Sequence, residues 1–266
     1  MAGLSAESKL AQCRWPVLAA PYARALREAV ELVLARFDVT GIVACGSILR
    51  GQGGPTSDLD VYVVHAEPVR QRLQHFFNGV PAEIFVNPPA AIRSYFAGEH
   101  RGGRPCTAHM LSTGFVVFEQ GPVVTTLRRE AEGWLAKPRH LTDADLTMQR
   151  YLAADQLDNA RDLVGQDDAN AALILYDAVK SMIQYGFAAA QQPQPRVKQT
   201  LVALGELDPE AHRLARRFYG TDGIDKQLTV ATDLAQHILG VTGFFAWEAM
   251  PEAFPDPDLP SGGSTG

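Results

Sequence analysis

Hydrophobic and polar positions follow two regimes along the chain. Up to about residue 137, short apolar runs are separated by turn-forming residues; beyond Pro138, apolar residues recur at helical spacing. Residues 21–37 place Ala25, Val30, Leu32, Val33 and Phe37 near one stripe among Ala, Leu, Glu and Arg, and predict an amphipathic helix. The β-branched and apolar run Thr40–Cys45, closed by Gly46, predicts a buried strand. A glycine-rich loop is expected over 51–56, and a second strand over 59–64. Residues 67–77 read as a helix with Asn78-Gly79 as its stop. A third strand is expected over 83–86, ended by Asn87-Pro88-Pro89. Residues 90–137 look mixed, with short helices around one more strand at 115–118.

Beyond Pro138 the pattern is helical, beginning at Thr142, which with Asp145 has the spacing of a capping box. Helices are expected over 142–164, 169–190, 196–204, 208–219 and 225–249, with breaks at Gly165, Pro193, Pro195, Gly220 and Gly223. The expected fold is therefore α+β: a small mixed-sheet core over 1–138 followed by an all-helical bundle over 139–252. Residues 253–266 are rich in Pro, Gly, Ser and Asp and read as a disordered tail. No internal repeat is visible.

Composition narrows the class. With 46% hydrophobic positions in 266 residues there is material for a real core. The 24 basic and 30 acidic residues argue against a protein that coats nucleic acid or lies on anionic lipid. Cys13, Cys45 and Cys106 are odd in number and widely spaced, and read as buried thiols in a reducing compartment. The first twenty residues lack an apolar core of signal-peptide length, and no run reaches the length of a membrane span. A cytoplasmic protein without a membrane partner is expected.

The chemistry concentrates at Gly46-Ser47 and, ten residues on, Asp58-Leu59-Asp60. Alternate strand residues share a face, so Asp58 and Asp60 point the same way. Two adjacent carboxylates in a cleft call for a cation, and Mg²⁺ suits carboxylates together with phosphate oxygens. A glycine after a strand lets backbone amides approach an anion, and Ser47 adds a hydroxyl. If the strand of Glu83 lies beside that of Asp60, Glu83 reaches the same cluster and can take a proton as general base. Arg50 is placed to neutralise phosphate charge.

Gly46-Ser47-Ile48-Leu49-Arg50-Gly51, followed by Ser57-Asp58-Leu59-Asp60-Val61, resembles the core motif of the DNA polymerase β-like nucleotidyltransferase superfamily. A transferase core followed by a helical bundle is most similar to the aminoglycoside nucleotidyltransferases. The resemblance implies that Asp58 and Asp60 hold Mg²⁺, that Gly46 and Ser47 hold the triphosphate, and that Glu83 is the third acid and base. It implies transfer of a nucleoside monophosphate, AMP from ATP, to a hydroxyl of a small-molecule acceptor such as an aminoglycoside. Three other readings stand beside it. They are a non-catalytic nucleotide sensor, a toxin–antitoxin-type nucleotidyltransferase acting on protein or RNA, and a polymerase or tRNA-end enzyme. The acidic balance counts against the last.

Signals in the helical half are weaker. Asp155, Asp158 and Asp162 fall on one helical face, where an acidic stripe would attract a polycation, although an ordinary solvated face is the commoner outcome. Tyr176, Lys180 and Tyr185 share a helix, and tyrosines so spaced pack the core more often than they touch a ligand. Lys198, after a Pro-rich turn, is a candidate for nucleotide phosphates or a plain surface lysine. The sequence is silent on nucleobase, acceptor and oligomeric state.

Overall fold

The computed structural model describes residues 4–251, so the segment expected as a tail, 253–266, lies outside the described residues. The chain divides into two compact units, Met1–Arg139 and His140–Gly266. The first unit runs α1 (Ala6–Ala11), α2 (Ala20–Arg36), β1 (Val39–Cys45), α3 (Gly46–Leu49), β2 (Leu59–His65), β3 (Gln71–Phe77), β4 (Val80–Asn87), α4 (Pro89–Arg101), α5 (Cys106–Thr113), β5 (Phe115–Glu119) and α6 (Val123–Ala136). Its five strands form one sheet in the order β3-β4-β2-β1-β5. The β2–β4 pair is parallel and the other pairs are antiparallel, which makes the sheet mixed.

Strand alternation sorts the side chains onto two faces. Leu59, Val61 and Val63 of β2 join Ile84 and Val86 of β4 against Leu26, Val30 and Val33 of α2. The opposite face packs Val43, Tyr62 and Val64 against Ile92, Phe96, Leu111 and Leu127 of α4, α5 and α6. Asp60 and Glu83 have the parity of Tyr62 and lie on this second face. The register sets the two acids opposite each other, with Cys45 opposite Asp60 on the β1 side and Gln74 opposite Glu83 on the β3 side.

Three expectations are corrected. Residues 67–77 are not helical: β3 spans Gln71–Phe77 and hairpins into β4. Asn78 and Gly79 are the two turn residues, at φ 47° and 75°, and two successive positive φ values make a type I′ turn rather than a helix stop. The final helix ends at Leu239 instead of 249, because Gly240 caps it in the left-handed conformation at φ 69°. Of the three thiols only Cys45 is buried; Cys13 is half-buried and Cys106 is exposed.

The second unit contains α7 (Asp143–Leu163), α8 (Asp168–Ala189), a 3₁₀ turn (Val197–Gln199), α9 (Thr200–Leu207), α10 (Pro209–Tyr219) and α11 (Ile224–Leu239). Thr142 and Asp145 form a reciprocal capping box at the start of α7. Leu157, Leu175, Met182, Phe218 and Leu234 are core residues of this unit. No helix among the described residues is long and apolar enough to cross a membrane.

Candidate active site

The site begins at the backbone where β1 ends. Gly46 has φ 91°, a conformation that L side chains rarely adopt, and a Cβ placed on it would run into Asp60 Oδ2. Glycine is thus required twice over, once for the turn and once for the approach to the carboxylate. Ser47 Oγ donates to Ser57 Oγ at 3.1 Å, and Ser57 Oγ accepts from the Gly54 amide at 2.8 Å. The buried Ser57 therefore ties the glycine-rich loop to the Gly-Ser turn and fixes the residue before Asp58.

Asp58, Asp60 and Glu83 each bring a carboxylate oxygen to within 4.8 Å of the others, and all three are half-buried. Burial, followed by the charges of Asp58 and Glu83, pushes the Asp60 carboxyl up to about 6, against the opposing influence of Arg50 and Arg72. Arg50 also opposes the rise of the buried Cys45 thiol, which burial and then Asp60 push up. Three oxygen donors converging with an uncompensated excess of negative charge fit a hard divalent cation such as Mg²⁺.

Glu83 is held from the neighbouring strand. Its Oε1 accepts from Arg72 Nε at 2.6 Å and from Gln74 Nε2 at 3.0 Å, and Arg72 Nη2 completes the ion pair. The Arg72 guanidinium also lies 4.9 Å over the ring of Phe85, which stacks on Tyr62 with centroids 5.6 Å apart. Sequence reasoning missed Arg72 and Gln74 because it read their segment as helix. The signal that could have found them is Asn78-Gly79, a two-residue hairpin turn that makes the preceding segment a strand, on which Arg72 and Gln74 share a face while Leu73 turns to the core.

Cavities open on both sides of Asp60. One of about 650 Å³ lies over the β4–β3 side, against Asp60, Glu83, Phe85, Arg70 and Arg72. A smaller one of about 250 Å³ lies on the β1 side, against Gly46, Arg50 and Phe115.

The other sequence-predicted residues belong to the second unit. The acidic stripe weighed from the spacing is interrupted at Asp158, whose carboxylate accepts from Arg161 and, at 2.6 Å, from the Phe244 amide, so it is committed to the unit's own structure. Asp155 is exposed and accepts from Asn159 Nδ2 at 3.0 Å. Asp162 is exposed beside Gln156 and Asp177 at a shallow cavity. Tyr176 meets Phe218 and Tyr219 edge-on, and its hydroxyl accepts from Gln227 Nε2 at 3.0 Å, so it stitches helices together. Lys198 is exposed in the 3₁₀ turn.

Residues 26–100 match the family model of the nucleotidyltransferase domain. The matched segment contains Gly46, Ser47, Asp58, Asp60 and Glu83, and nucleotidyl transfer is the general chemistry that the match supports. No curated protein matches the chain. Among solved structures, the chain is similar to a nucleotidyltransferase-like protein from Exiguobacterium sibiricum 255-15 at 13% identity and a TM-score of 0.49, over 81% of this chain and 73% of that one.

Proposed function

We propose that the protein is an Mg²⁺-dependent nucleotidyltransferase that moves AMP from ATP to a hydroxyl of a small-molecule acceptor, releasing pyrophosphate. The observation that carries this reading is the convergence of Asp58, Asp60 and Glu83 beside Gly46, within a segment that matches the nucleotidyltransferase domain. Asp58 and Asp60 would hold the cation. When bound, it supplies charge neutralisation to the phosphates and a fixed orientation for in-line displacement.

The chain's own residues have separable tasks. Gly46 makes a turn at which a Cβ would strike Asp60, so that the backbone can approach the triphosphate, and Ser47, whose hydroxyl donates to Ser57 in the free protein, would turn that donor to a phosphate oxygen. Arg50 supplies positive charge near Asp60. Both β3 donors use Oε1 of Glu83, so Oε2 is the oxygen left to take the acceptor's proton.

A pyrophosphate-release screen with each nucleoside triphosphate against hydroxyl acceptors tests the reaction. Asp58→Asn and Asp60→Asn should each lower release by at least about a thousandfold while the protein stays folded, since each removes charge from the cation's seat. Near-normal turnover in either variant would end this mechanism. Titration calorimetry showing Mg·ATP binding with no turnover on any acceptor would make the protein a nucleotide sensor instead.

A further inference from the structure

The larger cavity is lined by hydrogen-bonded polar groups, three of them buried. Arg70 Nη1 donates to the Tyr95 hydroxyl at 2.9 Å, Tyr95 donates to Asn87 Oδ1 at 3.4 Å, and Asn87 Nδ2 donates to the Tyr62 hydroxyl at 3.2 Å. Thr107, on the same wall, donates from both its hydroxyl and its amide to Glu99 at 2.7 Å. Tyr62, Asn87 and Thr107 are only 2%, 5% and 6% exposed. Burying three polar side chains is costly unless each finds partners, and a hydrogen-bonded polar lining in an open cavity is how ligand seats are built.

Unused bonding capacity decides the charge of the ligand. Of the three carboxylates on the cavity wall, Asp60 and Glu83 belong to the cluster that would hold the cation and take the proton on the nucleotidyl-transfer reading, and both oxygens of Glu99 accept from Thr107. The wall's two cations are different. A guanidinium has five N–H donors; Arg70 gives one to Tyr95, and Arg72 turns only its Nε–Nη2 edge to Glu83. An oxyanion entering the cavity would meet those remaining donors. An ammonium would meet two guanidiniums and an aromatic face already covered by Arg72.

Position across the sheet decides which substrate this is. The Gly46 turn, Asp60, Glu83 and the cavity follow one another from β1 through β2 and β4 towards β3. In an in-line displacement the incoming oxygen and the leaving group lie on opposite sides of the phosphorus. With the triphosphate at the Gly46 end, the hydroxyl enters from the β4 side.

We propose that this cavity seats the acceptor, and that the acceptor is a small hydroxylated molecule carrying a phosphate or carboxylate group held by Arg70 and Arg72. The proposal rests on the nucleotidyl-transfer reading. The acceptor's oxygen bonds to the α-phosphorus of ATP, the bond to the bridging oxygen breaks, pyrophosphate leaves with that electron pair, and the hydroxyl proton passes to Glu83. A polycationic aminoglycoside is the rival outcome.

The test uses the full-length protein in magnesium buffer with glucose, glucose 6-phosphate, glucuronate, glucosamine and kanamycin. Binding is read by calorimetry without nucleotide, and transfer by pyrophosphate release from ATP. At least one anionic sugar should bind or react about tenfold or more better than glucose, as a charge-assisted contact requires. Comparison of the phosphate with the carboxylate identifies the preferred oxyanion. Arg70→Ala should erase the preference and Arg70→Lys should keep part of it. A flat profile, a preference for glucosamine or kanamycin, or a preference that survives Arg70→Ala would overturn the proposal. Arg70-dependent binding of an anionic sugar without any transfer would leave the seat standing and remove the transferase reading. Strong transfer to neutral or cationic acceptors would do the reverse.

Discussion

At the residue scale, Gly46 and Asp60 constrain each other. A methyl group at Gly46 meets the Asp60 carboxylate, and φ 91° strains any L residue. Gly51 also has a positive φ, 68°, but a Cβ there has nothing within 4 Å. The two glycines therefore separate backbone strain from site geometry. Gly46→Ala and Gly51→Ala should each cost about 1–2 kcal/mol of stability through backbone strain, readable as a fall in melting temperature. Only Gly46→Ala should also lower pyrophosphate release, by more than about tenfold, because displacing a catalytic group by about 1 Å is enough for that. Equal activity in the two variants would show that the approach to Asp60 is incidental. The glycine, the serine and the paired aspartates stand out in the sequence because turn and strand periodicity are local properties. The commitment of Asp158 to Arg161 and to a backbone amide 86 residues away could not be read in this way, since its partner arrives through folding.

At the element scale, the β3–β4 hairpin does most to shape the site. It carries Arg72 and Gln74 to Glu83, and its turn depends on Asn78 and Gly79 both adopting positive φ. Replacing both by alanine should destabilise the protein by about 2 kcal/mol or more, from the strain of two left-handed residues. Transfer should fall alongside, because the clamp on Glu83 loosens. Thermal melts and pyrophosphate release on the same variant check both. Residues 67–77 look helical in isolation because only Leu73 of β3 is fully buried, and one buried position cannot reveal a period. The Asn-Gly pair was the better guide: a helix stop needs one residue at positive φ, whereas this turn uses two. The overlong final helix has a similar origin, since apolar residues continue past Gly240 while the backbone does not.

For the molecule as a whole, the charge excess around Asp60 links stability, pH and cation binding. A carboxyl raised by folding from 3.8 to about 6 favours the folded state below pH 4 and loses that contribution as pH rises through 6. A divalent cation should reverse the loss. Mg²⁺ held at one concentration, ten times its dissociation constant at pH 7.5, should stabilise the fold there by about 1.4 kcal/mol, a few degrees in melting temperature. The rise should be larger at pH 7.5 than at pH 5, where protons compete for Asp60, and the difference should vanish in Asp60→Asn. A pH-independent rise would place the cation elsewhere.

Local features were legible along the chain: a glycine turn after a strand, two aspartates on one face, and helices with their caps. Each depends on neighbours a few residues apart, where φ, ψ and side-chain periodicity already act. Folding in three dimensions was needed to lay β4 parallel beside β2, to set Glu83 opposite Asp60, and to close Arg72 and Gln74 on Glu83 from β3. These pairings hold in a sheet with α2 packed on one face and α4, α5 and α6 on the other. That is a property of the assembled core, which no short window of residues contains.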